Sequence, residues 1–264
     1  MPLEFLRRCF GLRRKPPAID EALWRQVEAR LPFLAYLTQA QRLRLRELAS
    51  GFLASKQFHG AGGLELTDEM MLAIALQACL PILRIGLDAY RGWVGIVVYP
   101  GGILIPRQEM DEHGVVHEFE DEVLGEAWED GPVLLSWDEE ASLDAERGPG
   151  LNVVIHEFAH KLDMSNGGAD GLPPLPPDIS RRAWAEDFNA AYESLCRTLD
   201  LGLPTMLDPY AAEHPAEFFA VSAEAFFETP AELQAAHPQV YAHLSRLFGC
   251  DPARGSPSRP ATAG

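Results

Sequence analysis

The run Leu151-Asn152-Val153-Val154-Ile155-His156-Glu157-Phe158-Ala159-His160-Lys161-Leu162-Asp163 constrains this chain more than any other stretch. Leu151, Val153, Val154, Ile155, Phe158, Ala159 and Leu162 make it mostly apolar, with one polar edge. That pattern predicts a buried helix, and polar groups inside a core require partners. Residues four apart share one helical face, about 6 Å apart along the axis. His156 and His160 can therefore point at one ion with Glu157 beside its open position. The H-E-x-x-H spacing is a zinc-hydrolase signature. Zinc takes nitrogen ligands at about 2.0 to 2.1 Å, and a catalytic site offers three protein ligands plus a water whose pKa falls to about 7. Glu157 is then the base that takes the proton of that water. Two surface histidines spaced this way by chance fit poorly with such apolar neighbours. His113 and His117 are also four apart, but Gly114 stands where the glutamate would be, Val115 and Val116 follow it, and the surroundings are acidic. They read as loop or strand residues.

At 264 residues and 47% hydrophobic, the chain can bury one substantial core with a helical addition. Cys9, Cys79, Cys196 and Cys250 are far apart and form no C-x-x-C pair, which argues against a structural zinc or a disulfide framework. They read as reduced thiols of a cytoplasmic protein. The first ten residues lack the apolar run of a signal peptide, and Met70 to Leu87 is broken by Gln77, Pro81 and Arg84, so no membrane span is expected. Net charge is −17; residues 1–20 carry +3, leaving −20 on the rest. So acidic a body repels phosphate backbones and argues against direct nucleic-acid binding. The basic arm, with Phe5, Leu6, Phe10 and Leu12, suits an acidic partner or membrane surface, or is simply a mobile terminus.

Four regions are expected: a basic N-terminal arm (1–20), a helical region packed on the core (21–92), the core itself (93–250) and a disordered tail (251–264). Glu21-Ala22-Leu23-Trp24 opens one helix, Thr38 to Leu48 marks another, and Thr67-Asp68-Glu69-Met70 caps a third, buried one. Val94 to Tyr99 and Ile103 to Pro106 flank Pro100-Gly101-Gly102, predicting two strands around a turn. Residues 107–132 are acidic without clear pattern. Pro132 to Trp137 is a short strand that either edges the cleft, where an extended substrate would pair, or is an ordinary core strand. Residues 165–177 form a Gly- and Pro-rich loop able to wall the cleft, and helices resume at Arg181 to Leu199 and after His214-Pro215.

A third ligand must come from elsewhere. Asp163 shares the face of His156 but lies seven residues on, about 10 Å along the helix, too far for direct ligation. It either accepts a hydrogen bond from His160, orienting the ring, or interacts with the end of its own helix. Glu217 and Glu224, also seven apart, sit on a helix otherwise full of Phe, Ala and Val, where carboxylates need partners. About 10 Å of rise prevents both from binding one ion. Spacing alone leaves Glu217, Glu224, Glu213 and His214 open.

At this point the chain resembles the Mlc titration factor A family of bacterial zinc peptidases, through His156 to Asp163, Gly168-Ala169-Asp170-Gly171, and Asp208-Pro209-Tyr210-Ala211-Ala212-Glu213-His214-Pro215-Ala216-Glu217-Phe218-Phe219-Ala220-Val221. The likeness spans most of residues 20–250. It implies an α+β fold with a zincin-like metallopeptidase core, a small mixed sheet plus active-site helix, behind an N-terminal helical region. It further implies a gluzincin-type site related to lethal-factor metalloproteases, with His156, His160 and Glu217 holding Zn2+ and Glu157 as general base. Glu224 then becomes a supporting acid, and Tyr210 stabilises the oxyanion. Family members are cytoplasmic, cleave small peptides, and include one that binds the glucose repressor Mlc. The arm and the Pro-rich tail do not align.

Two functions follow. One is a cytoplasmic zinc metallopeptidase acting on a peptide or protein substrate; an aminopeptidase mode would need an acidic group for the α-amine. The other is a regulatory binding protein that sequesters a transcriptional repressor of the Mlc kind, with zinc mainly structural. An intact glutamate base favours the first, since a structural site has no use for it and normally closes the fourth position.

Overall fold

The computed structural model describes residues 19–110, 116–137 and 152–255; the basic arm through residue 18, Cys9, His113 and the tail beyond residue 255 lie outside them. The chain enters through α1 (Glu21–Ala29), capped by the Asp20 carboxylate, and α2 (Gln39–Ser55), which opens on a capping box between Thr38 and Gln41. On α2 the buried residues Leu45, Leu48, Ala49 and Phe52 fall on one stripe at i, i+3, i+4 and i+7. Helix α3 (Asp68–Cys79), capped by Thr67, is buried from Met70 to Cys79 save for the half-buried Met71, as its mostly apolar sequence predicts, with Gln77 buried among the rest.

Four strands form the main sheet: β1 (Gln57–Gly60), β2 (Gly95–Tyr99), β5 (Gly125–Ala127) and β6 (Val133–Ser136), in the order β1-β2-β6-β5. Strands β1, β2 and β6 run parallel, while β5 runs antiparallel to β6. All four residues of β6 are buried, the signature of a strand covered on both faces. It is therefore not the edge of the sheet: β5, only three residues long, takes that place.

The turn at Pro100-Gly101-Gly102 joins two strands, but they do not pair. β2 belongs to the main sheet, whereas β3 (Ile103–Met110) pairs with β4 (Val116–Val123) as a separate two-stranded ribbon. The acidic stretch 107–132 thus contains β4 and β5, and His117 lies in β4 opposite Glu109.

Helices complete the fold: α4 (Val153–Asp163), α5 (Arg181–Asp200), α6 (Pro215–Glu228), α7 (Pro230–Ala236), α8 (Pro238–Phe248) and α9 (Pro252–Gly255). Gly249, at φ 73°, ends α8 in the left-handed conformation that glycine tolerates. The tail is ordered further than its composition predicts, because Tyr241 donates its hydroxyl to Asp251 at 2.7 Å and accepts from the Ala253 N–H. One hydrophobic core runs through the described residues, from Trp24 and Val27 of α1 to Leu247 and Phe248 of α8. Helix α4 lies in its middle, packed against α3, α6, β5 and β6. No described helix is long and apolar enough to cross a membrane. Cys79, Cys196 and Cys250 are free thiols.

Candidate metal centre

Helix α4 starts where Asn152 accepts the Ile155 N–H at 3.0 Å, and α6 starts at Pro215 with the His214 ring accepting the Ala216 N–H. Both helices are held in the core by apolar faces, and where they meet, His156, His160 and Glu217 converge. His156 Nε2 lies 3.1 Å from His160 Nε2, and Glu217 Oε2 lies 3.1 Å from the first and 3.2 Å from the second. Glu213 and Glu224 are not part of this triangle, and His214 serves as the cap of α6.

The triangle fits a tetrahedral ion. Bonds of about 2.0 to 2.1 Å at tetrahedral angles place neighbouring ligand atoms about 3.3 to 3.4 Å apart, close to the observed spacing. Two imidazole nitrogens facing each other beside one carboxylate oxygen also need a cation or protons between them. Electrostatics point the same way. Burial would raise Glu217, but the hydrogen bonds and charges of both histidines override it and hold the carboxyl down at about 2. Burial would lower His156, yet Glu217 and Glu224 hold it well above the ordinary histidine range. The pocket demands positive charge.

Behind the triangle, His156 Nδ1 lies 2.7 Å from Glu224 Oε1, and Glu224 Oε2 accepts the Asn152 N–H at 2.5 Å. The Asn152 side-chain amide donates to Gln77 and Glu228, so α3, α4 and α6 are joined at the base of the site. A neutral His156 that donates Nδ1–H to Glu224 would present a bare Nε2, the tautomer a metal ligand needs. Asp163 does not hydrogen-bond to His160. Its Oδ2 accepts the Gly171 N–H at 2.7 Å, while its Oδ1 and His160 Nδ1 are both buried without a hydrogen-bond partner among the described residues. It fastens the 165–177 loop, which Trp184 also ties through its indole N–H to the Gly171 carbonyl. Tyr210 stands half-exposed with its ring 6.1 Å from that of His156.

Glu157 is 4% exposed, on the side of α4 that faces β5. Burial pushes its carboxyl up to about 7, with Glu217 and Glu126 adding to the rise and His156 and the Ala127 N–H opposing it. Gly125 makes that position possible: a Cβ there would stand 2.6 Å from Glu157 Oε1 and 2.7 Å from Val153 Cγ2. Of the residues the sequence singled out, the structure brings His156, His160 and Glu217 together with Glu157 and Glu224 beside them; Gly125 and Asn152, also placed here, had not been singled out. A cap residue just before the motif was a readable signal for Asn152; nothing local marks Gly125.

A buried helix pair presents a His-His-Glu group able to hold a metal ion, and a family match places the protein in the metallopeptidase class. More particularly, the sequence profile of the glucose-regulated metallo-peptidase M90 family matches residues 5–249, taking in most of the basic arm that the sequence reading left unaligned, and the chain belongs to that family. Among its relatives are an uncharacterized protein of Synechocystis sp., 42% identical over 226 residues (84% of this chain, 82% of the relative). Mlc titration factor A of Serratia proteamaculans is 39% identical over 243 residues, 90% of each chain. Its counterpart in Yersinia pestis is 37% identical, covering 90% of this chain and 88% of its own.

Proposed function

We propose that this chain is a cytoplasmic zinc metallopeptidase with a zincin-like core, in which α4 and the mixed sheet frame the cleft. The observation that carries the reading is the triangle of His156, His160 and Glu217 atoms at 3.1 to 3.2 Å with the Glu157 carboxyl buried beside it. Zinc held by His156, His160 and Glu217 would supply Lewis acidity to a carbonyl and lower the pKa of a water to about 7. Glu157, tuned near neutrality by burial, takes the proton of the attacking water and passes it to the amine released as the C–N bond breaks. Glu224 keeps His156 in the ligating tautomer, and Tyr210 donates its hydroxyl to the carbonyl oxygen as negative charge develops. The free thiols fit a reducing compartment.

The name Mlc titration factor A, carried by relatives that match along nearly their whole length, supports a second role: binding a transcriptional repressor of the Mlc kind. Binding and hydrolysis are compatible, and an acidic body suits a protein partner better than DNA. The test is metal analysis of the purified chain with turnover of a peptide library, including substrates with free and blocked α-amines, before and after chelation. About one zinc per chain and hydrolysis restored by zinc support the reading; a chain that binds no zinc sinks it.

A further inference from the structure

One charged group in the core has no part in the proposed chemistry. Lys161 follows His160 directly on α4 and is 2% exposed. Its Nζ lies 2.6 Å from the Trp128 carbonyl, 3.0 Å from that of Glu129 and 3.2 Å from that of Gly131. An ammonium has three N–H donors, so this one turn between β5 and β6 saturates it. The turn also closes on itself, with the Gly131 N–H donating to the Trp128 carbonyl and the Trp128 N–H to that of Pro132. The Trp93 ring centroid lies 4.7 Å from the same ammonium. A leucine or methionine would fill a helix core without the desolvation that a buried charge demands.

The turn that Lys161 grips carries β5 directly over Glu157. Main-chain groups alternate along an antiparallel strand. The Leu124 carbonyl and the Trp128 N–H bond towards β6, so Gly125 and Ala127 direct theirs away from it. On that side β5 meets Glu157: the Ala127 N–H is directed away from β6, and Gly125 lets the strand approach the Glu157 side chain within a distance that any Cβ would block. β5 is only three residues long, so its height over α4 depends on the turn that follows it.

We propose that Lys161 is a positioning residue for Glu157: by fastening the Trp128–Gly131 turn to α4, it holds β5 at the height where Ala127 orients the carboxylate of the base. The proposal rests on the peptidase reading for its effect on turnover, though the clamp itself does not. Geometry at a catalytic base is sensitive, with a displacement of 1 Å able to slow a reaction about a hundredfold.

The experiment compares zinc-loaded full chains of wild type, Lys161→Met, Gly125→Ala and the double variant. Lys161→Met is expected to lower kcat about 10- to 100-fold with KM within about twofold and zinc content unchanged. Gly125→Ala disturbs the same contact from the strand side, so the double variant is expected to be no slower than the slower single variant. A purely structural lysine gives losses that multiply, or a lower melting temperature with kcat kept; either overturns the proposal. Amide hydrogen exchange supplies a readout free of both turnover and variant folding. In wild type the Ala127 N–H is expected to exchange at least about a hundredfold more slowly than an unstructured amide. Lys161→Met is expected to abolish that protection while the amides of α4 keep theirs. Free exchange of Ala127 in wild type overturns the clamp outright. Wild type without zinc-dependent turnover would instead fail the peptidase reading, leaving exchange to decide the clamp.

Discussion

Replacing Glu224 by glutamine changes one atom and should weaken metal binding through a histidine it does not itself replace. The carboxylate accepts two hydrogen bonds, from the Asn152 N–H at 2.5 Å and at His156 Nδ1 at 2.7 Å. Glutamine has one accepting oxygen. The main-chain N–H of Asn152 is fixed at the start of α4 and cannot turn away, so the amide oxygen goes there and the NH2 group faces His156. An NH2 donor requires Nδ1 to accept, which moves the imidazole proton to Nε2, the atom aimed at His160 and Glu217. Ligation then requires reversing the tautomer against that hydrogen bond. Losing such a supporting contact weakens metal binding about 10- to 100-fold, or about 1.4 to 2.7 kcal/mol. Glu224→Ala should lose less, because the space it opens admits a water that accepts from Nδ1–H. Zinc competition against a chromogenic chelator at fixed pH measures both. A glutamine variant within twofold of wild type, or one binding zinc better than the alanine variant, would refute the tautomer argument.

Other outcomes follow from the same geometry. Tyr210→Phe should keep zinc and lower kcat about 10²-fold, the scale of one lost oxyanion donor, and steady-state kinetics with metal analysis reads it; unchanged kcat removes Tyr210 from the chemistry. Lys56, whose Nζ donates to the Tyr90 and Trp93 carbonyls, is pushed down to about 7 by burial, with the charge of Lys161 adding. Since an unfolded lysine titrates near about 10.4, the folded state binds fewer protons between those values, and stability should rise with pH across that window and fall towards pH 7. Urea titrations at both ends should show wild type gaining more than Lys56→Met; parallel shifts would contradict the assignment.

The candidate site was legible in sequence because its residue pattern is local. H-E-x-x-H spacing on an apolar helix predicted α4 and its histidines, and the seven-residue interval between Glu217 and Glu224 placed both acids on one face of α6, at different depths behind and within the triangle. What spacing could not do was choose Glu217 over Glu224; the resemblance made that choice, and it alone pointed to Tyr210. Strand pairing was harder. Pro100-Gly101-Gly102 marks a turn but not the partner of either flanking strand, and the long-range register sends β2 to the main sheet and β3 to β4. The acidic composition of 107–132 hid β4, because a strand on a separate two-stranded ribbon carries charges that a central strand would not. Gly125 and Lys161 were invisible for a related reason: one works by lacking a side chain, the other by reaching main-chain carbonyls about 30 residues away in sequence.

Glu157→Gln beside wild type, each assayed for zinc and for peptide hydrolysis, tests the account most directly. The His156, His160 and Glu217 triangle is untouched by the change, so both proteins should carry about one zinc, while only wild type should turn over peptide in a manner abolished by chelation. A Glu157→Gln protein that hydrolyses peptide at the wild-type rate would contradict the assignment of the base.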